Sequence, residues 1–165
     1  MRSLLLRFLA TLALVGVPAV RADDAILHVS YAGKVLALSA SDLTSMPHQD
    51  VTAMDAHGKT THTYSGFPAR DLLLRAGAPL GDQLRGSALR LLVVAHARDH
   101  YEVVYALAEF DGAFNDRTIF LVDRQDGRPL GEGAGPLRFV IPGDKRPARW
   151  ARMITDIEVL PIPAN

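Results

Sequence analysis

The 165-residue sequence contains no cysteine. That excludes disulfides, thiolate metal sites and cysteine nucleophiles, so the core must hold the fold without covalent help. Neither charge dominates: 18 basic side chains face 18 acidic ones. There is a single tryptophan. Only one long apolar run is present, Leu4 to Val17, which is short for a membrane span; an integral membrane protein is not expected. No serine sits in a nucleophile elbow, and no two carboxylates are recognisable as an acid and base pair from spacing alone. Internal repeats, coiled-coil heptads and low-complexity blocks are also missing.

What is present begins with a leader. Arg2 and Arg7 precede the apolar run, and Val20-Arg21-Ala22 offers small residues where a signal peptidase reads. Residues 1–22 are expected to be a cleavable Sec-type signal peptide, since no paired arginines precede the run. The protein is then exported to the periplasm, with residues 23–165 forming a single domain. Removing Arg2, Arg7 and Arg21 leaves 15 basic against 18 acidic side chains, a net −3. Such a balance does not recruit nucleic acid.

Leu27, Val29 and Tyr31 alternate with polar residues as a half-buried strand, and Val35 to Leu38 reads as its hairpin partner. Ser41 is placed to cap a short helical turn ended by Pro47. Residues 49–55 and 60–64 read as a second hairpin turning at Ala56-His57-Gly58-Lys59. The period then changes: Leu72, Leu73 and Ala76 share a helical face, with Pro68 at its start and Gly77 as its stop. Asp82 to Leu84 reads as a further helical turn, and Ala88 to Ala95 is apolar enough to predict a central strand buried on both faces. Arg98-Asp99-His100 turns that strand back into 101–105. Residues 107–110 form a brief helix, 118–122 another strand, Asp126-Gly127-Arg128-Pro129 a turn, and 154–159 a last strand. Hairpins first, one good helix, then more strands predicts an α+β fold with mixed, mainly antiparallel sheets.

The stretch from Gly135 to Arg152 carries the strongest chemical signal. Leu137, Phe139 and Ile141 alternate with Arg138 and Val140, so one face enters a core while Arg138 points elsewhere. Five basic side chains, Arg138, Lys145, Arg146, Arg149 and Arg152, lie on either side of Trp150, and extended chain would send Arg149 and Trp150 to opposite faces. This predicts an anion site lined by guanidinium groups; the competing reading is an ordinary solvated basic face. Asp99, His100 and Tyr101, at the end of a central strand, are candidates to project into the same cleft, against the alternative of an aspartate-led turn. Gly131-Glu132-Gly133-Ala134-Gly135 is followed by Pro136 and a strand, not by a helix, so it is no dinucleotide fingerprint. Among the six histidines, His96/His100 and His48/His57/His62 have suggestive spacings without a recurring ligand motif, and no metal site is assigned.

The order of motifs resembles a known family. Tyr64-Ser65-Gly66-Phe67-Pro68-Ala69-Arg70-Asp71-Leu72-Leu73 with Arg75-Ala76-Gly77 is similar to that family's aromatic, Gly-hydrophobe-Pro, Leu-Leu helix pattern. Asp99 to Tyr101 resembles its Asp-Gly-Tyr turn. Asp126-Gly127-Arg128-Pro129-Leu130, then Gly135-Pro136-Leu137-Arg138, Pro142-Gly143 and Arg149-Trp150, resemble its C-terminal signature. The family is the sulfite-oxidase-like molybdopterin-binding oxidoreductase domain. The resemblance implies that Arg138 contacts a pterin, that Arg149 stands at a basic position before the tryptophan, and that Asp99 and Tyr101 form a substrate-side pair. It also implies a molybdenum-ligating cysteine, absent here, and a pterin-holding histidine near which Gly133 stands.

Three functions follow from that mixture. The first is an anion- or pterin-binding sensory module without redox catalysis, with Arg138, Arg149, Lys145 and Arg146 on the cofactor side and Asp99, His100 and Tyr101 on the ligand side. In that reading no cofactor is expected, and the partners are a small anionic ligand and a membrane-bound signalling or redox protein. The second is a molybdopterin-dependent oxidoreductase whose molybdenum lacks a cysteine ligand. The third is an accessory partner of a membrane signalling protein.

Overall fold

In the computed structural model, residues 24–54 and 60–162 are described. The expected leader and the 56–59 turn lie outside them. The alternation read from Leu27 becomes β1 (Ala25–Tyr31), paired antiparallel with β2 (Lys34–Ser39). Ala32 and Gly33 both take positive φ, as a two-residue hairpin loop requires. The helical turn α1 (Ala40–Thr44) is capped by Ser39, not Ser41: the Ser39 hydroxyl accepts from the Asp42 N–H while the Asp42 carboxylate accepts from the Ser39 N–H. That reciprocal box needs an acid three residues past the cap, which Ser39 has and Ser41 lacks.

The second hairpin is β3 (Gln49–Met54) with β4 (Thr61–Pro68). Its second strand runs on to Pro68, beyond the expected end at Tyr64. The helix α2 (Ala69–Ala76) buries Ala69, Leu72, Leu73 and Ala76 and stops at Gly77, whose φ of 94° suits a residue without Cβ. α2 packs on β1, β2 and β4. Truncating Leu72, which is fully buried, to alanine would cost about 2–5 kcal/mol.

Two sheets result. The first runs β2-β1-β10-β5-β6, with β5 (Leu91–Ala97), β6 (Glu102–Ala106) and β10 (Ile154–Pro161). Within it β1 and β10 are parallel and the other pairs antiparallel. The second runs β3-β4-β7-β8, with β7 (Phe120–Gln125) and β8 (Arg128–Pro129), while β9 (Arg138–Val140) also pairs with β7. The α+β expectation holds. One strand departs from expectation: β5 is central but alternates buried and half-buried residues. Its Val93 and Ala95 enter the core, while Leu92 and Val94 sit on the outer face of the sheet, so a continuous apolar run does not mean burial on both sides.

Gly66 explains part of the Gly-hydrophobe-Pro motif. The β4–β7 register shifts between Ser65 and Gly66, and a Cβ there would lie 2.1 Å from the Leu121 carbonyl oxygen and 2.5 Å from Val122 Cα. Only glycine allows the strands to approach that closely. No helix among the described residues is long and apolar enough to cross a membrane.

Candidate functional site

β9 is the hinge between the two sheets. Its Arg138 stands opposite Val122 of β7 on one side and bridges to Arg152, just before β10, on the other. The Phe139 N–H donates to the Ala151 carbonyl and the Ile154 N–H to the Leu137 carbonyl, so β9 is laddered to β7 on one edge and hydrogen-bonded to the segment leading into β10 on the other. Leu137, Phe139 and Ile141 fill the core as expected. Arg138 does not escape to solvent on the other face: it is only 9% exposed.

Its guanidinium carbon lies 5.4 Å from the Tyr64 ring centroid and 5.7 Å from that of Trp150, and the two rings meet edge to face. Aromatic faces attract a cation, by about 0.5–2 kcal/mol each according to exposure. They do not neutralise it. Among the described residues no carboxylate pairs with Arg138, and its Nε is buried without a hydrogen-bond acceptor, as is Nε1 of Trp150. Burial pulls the guanidinium pKa below the usual arginine range, and the like charge of Arg152 acts in the same direction. A buried charge without a partner is costly, so this side chain is set up for a counter-ion.

The space it faces is a cleft of about 690 Å³ lined also by His62, Asp99, Tyr101, Gln125, Arg146 and Arg152. Among the described residues, three guanidiniums thus share the cleft with one carboxylate. Asp99 Oδ1 accepts from the Tyr101 N–H at 3.1 Å, so it forms the aspartate-led turn and lines the cleft at once. The Tyr101 hydroxyl donates to the Ala148 carbonyl at 2.8 Å and ties the turn to the loop that carries Arg146.

Arg149 is elsewhere. It donates to Glu109, lies 3.8 Å from Asp144 and stacks over Tyr105 at 5.1 Å, on a separate recess of about 210 Å³. Its pairing with Glu109 and Asp144 outweighs its own desolvation and raises its pKa. The reason lies in the expected alternation itself. Pro147–Arg149 forms a single 3₁₀ turn, and Trp150, committed to Tyr64 and Arg138, leaves Arg149 the opposite side. The joint Arg138–Arg149 cradle is therefore corrected to Arg138 with Arg146 and Arg152. Lys145 is exposed and lines neither space. His100, at a φ of 67°, turns away from Tyr101 to a groove on the outer face of the first sheet with His28 and His96.

Sequence reasoning missed Tyr64, His62 and Gln125 as neighbours of this cleft, and it counted Arg152 in the basic stretch without assigning it to the site. No local spacing links β4 to β9, and only the shared β7 brings them together. The histidines do not assemble: among the described residues no three His, Asp or Glu side chains could hold a metal ion. His48 instead lies 3.3 Å from Asp123, and His62 Nδ1 lies 2.7 Å from Asp126.

A family model described as "Oxidoreductase molybdopterin binding domain" matches residues 15–165. The chain belongs to that family. Among solved structures, the sulfane dehydrogenase SoxCD from Paracoccus pantotrophus superposes with a TM-score of 0.61 at 18% identity, over 87% of this chain. The chain spans 40% of that protein's length, and at this identity the likeness concerns the fold. No curated protein matches the chain.

Members of the molybdopterin binding domain family pose a test for this cleft. The unpaired donors of Arg138 and Trp150, with Arg146 and Arg152, suit an anionic group. The soft ligand is another matter. Without any cysteine the chain offers molybdenum no thiolate, and the cleft's other donors are imidazole, carboxylate, phenol and amide. The residues fit the charge of such a cofactor but not the metal ligation that the resemblance implies.

Proposed function

We propose that this member of the molybdopterin binding domain family is an anion-binding module, exported to the periplasm, whose cleft binds a small oxyanion or a pterin-like anion without redox catalysis by a thiolate-held metal. One observation carries the reading: Arg138 is nine-tenths buried, without a carboxylate partner among the described residues, in the wall of a cleft shared with Arg146 and Arg152. An anion entering there supplies the missing counter-charge and an acceptor for Arg138 Nε and Trp150 Nε1. Tyr64 and Trp150 give the guanidinium a fixed orientation in the meantime. A membrane-bound signalling or redox protein is the expected reader of the bound state.

The test is thermal denaturation and calorimetry of the protein with sulfate, molybdate and isolated molybdopterin. Ligands that bind the native state raise the melting temperature with concentration. Stabilisation by at least one of these anions, lost in Arg138→Met, is the expected result. No stabilisation by any of them, or an undiminished shift in Arg138→Met, overturns the reading. Elemental and pterin analysis of protein isolated from its native periplasm decides the redox question: stoichiometric molybdenum would favour the oxidoreductase.

A further inference from the structure

The cleft contains a histidine that the anion-binding reading leaves without a task. His62, on β4, lines the cleft while its Nδ1 lies 2.7 Å from Asp126 Oδ2. Asp126 is itself held from three sides. Its N–H donates to the Thr63 carbonyl at 2.7 Å, its Oδ1 accepts from the Thr63 N–H at 3.0 Å, and it begins the two-residue loop Asp126–Gly127 between β7 and β8. The carboxylate thus fixes the imidazole from the rim, and no described residue bonds Nε2. The His62 hydrogen bond is also the leading reason why the Asp126 pKa lies below the usual carboxylate range.

That geometry fixes what His62 shows to a ligand. In the neutral ring, Nδ1–H donates to Asp126 and Nε2 is left as a lone pair, which repels an anion. Protonation turns Nε2 into an N–H donor and adds a cation, while Nδ1–H stays bonded to Asp126. We propose that His62, oriented by Asp126, is the proton-linked specificity contact of the cleft: binding of a doubly charged oxyanion is coupled to protonation of this imidazole, so affinity rises as pH falls. This rests on the anion-binding reading and adds to it both a ligand class and a control.

Among the described residues, the other charged or titratable groups that line the cleft with His62 or contact it are Asp126 at the β7–β8 turn, Asp99 and Tyr101 at the β5–β6 turn, Arg138 on β9, Arg146 and Arg152, with Tyr64 on its own strand. On β3 the residue opposite is Ala53, which brings no charge. Carboxylates ordinarily titrate below about pH 5 and tyrosine and arginine above about pH 9, which leaves histidine to act between them.

The experiment is sulfate binding by calorimetry on the whole protein between about pH 5.5 and 8, a window in which histidine changes charge and sulfate stays a dianion. Affinity is expected to rise on the order of tenfold towards the acid end, with proton uptake seen as a buffer-dependent binding enthalpy. Nitrate, a monoanion, should show a shallower slope. His62→Gln should hold affinity near its alkaline value at every pH, and His48→Gln, outside the cleft, should leave the slope intact. Asp126→Asn is the sharper variant, because Asn-Gly is at home in a loop whose φ values are 52° and 74°. Its amide donates to Nδ1, which forces Nε2–H in the neutral ring, so the ring offers the anion a donor at every pH and the slope should flatten. Sulfate affinity that is flat with pH, or a slope that survives His62→Gln, overturns this inference while leaving the anion site standing. Absence of binding by any anion at any pH overturns the anion site itself.

Discussion

Arg138 and Arg149 come from one basic stretch and both pack on aromatic rings, yet they serve opposite ends. Arg149 has Glu109 and Asp144 beside it and Tyr105 beneath it, so its charge is spent inside the protein. Arg138 has Tyr64 and Trp150 for packing and, among the described residues, no carboxylate for its charge. An internally paired arginine closes a structure, and an unpaired one leaves a vacancy in the electrostatics that a ligand can fill. The difference teaches that a count of basic residues does not locate an anion site; what matters is which of them the fold leaves without a carboxylate.

The comparison breaks most visibly if Arg138 is made neutral. Arg138→Met, of similar length and apolar, is expected to lower sulfate affinity on the order of a hundredfold, because charge-assisted hydrogen bonds to a desolvated guanidinium are among the strong ones. In the absence of anion the variant should melt no lower than the parent, since replacing an unpaired buried charge relieves its desolvation. Arg149→Met should behave in reverse. Asp144, whose side chain is only 6% exposed, would keep Arg117 alone, and Glu109 would keep only the Ala106 N–H. Half-exposure of Arg149 tempers the loss, which is expected at about 2 kcal/mol, or a drop of about 4–8 °C in Tm, with sulfate affinity nearly unchanged. Equal effects of the two substitutions on binding would erase the distinction.

A smaller perturbation sharpens it. The Tyr105 hydroxyl donates to the Arg149 carbonyl and the Tyr101 hydroxyl to the Ala148 carbonyl, so adjacent carbonyls of one loop are fastened from β6 and the turn before it. Burial, the leading cause, pushes the Tyr105 phenol pKa up, which keeps it a donor at any working pH. Tyr105→Phe leaves the Arg149 carbonyl with the Ala151 N–H alone and should cost about 1 kcal/mol of stability in denaturant titration. Tyr101→Phe, about half exposed, should cost less stability but loosen the loop that carries Arg146, seen as a twofold to threefold weaker sulfate affinity at about unchanged Tm.

How much of this was legible beforehand divides along the same line. The Leu72–Leu73–Ala76 stripe with Gly77 gave the helix, its buried face and its stop, because local periodicity and a C-terminal glycine are written in neighbouring positions, whereas Pro68, read as part of the first turn, ends β4 and caps the helix. Trp150 as anchor and Arg138 as the candidate cation were equally readable. The partner of Arg149 was not, because Glu109 lies forty positions away in sequence and only the folding of β6 and the turn after it brings it near. The same holds for Arg152: its bridge to Arg138 depends on hydrogen bonds formed at both edges of β9. Ser39 against Ser41 is a subtler case, in which both are good caps by type and the position of Asp42 decides.

The smallest effect concerns acid. Asp111, whose side chain is 5% exposed, accepts from the Gly81 N–H at 2.6 Å and the Ala113 N–H at 3.0 Å, with Arg70 at 3.6 Å. Its pKa is lowered first by the Ala113 and Gly81 hydrogen bonds, against some desolvation, and then by Arg70. A carboxylate depressed in the folded state contributes stability that is fully present above the unfolded value, near 3.9, and is lost as pH falls through the folded one. Stability should therefore fall below about pH 4, and Asp111→Asn should flatten that decline by about 1 kcal/mol while lowering stability at neutral pH by a similar amount. Sulfate affinity should not move with this substitution, because Asp111 lies on neither the Arg138 cleft nor the Arg149 recess. A change in sulfate affinity would mean that the loop after residue 110 communicates with the cleft, and that the two arginine environments are less separate than their contacts imply.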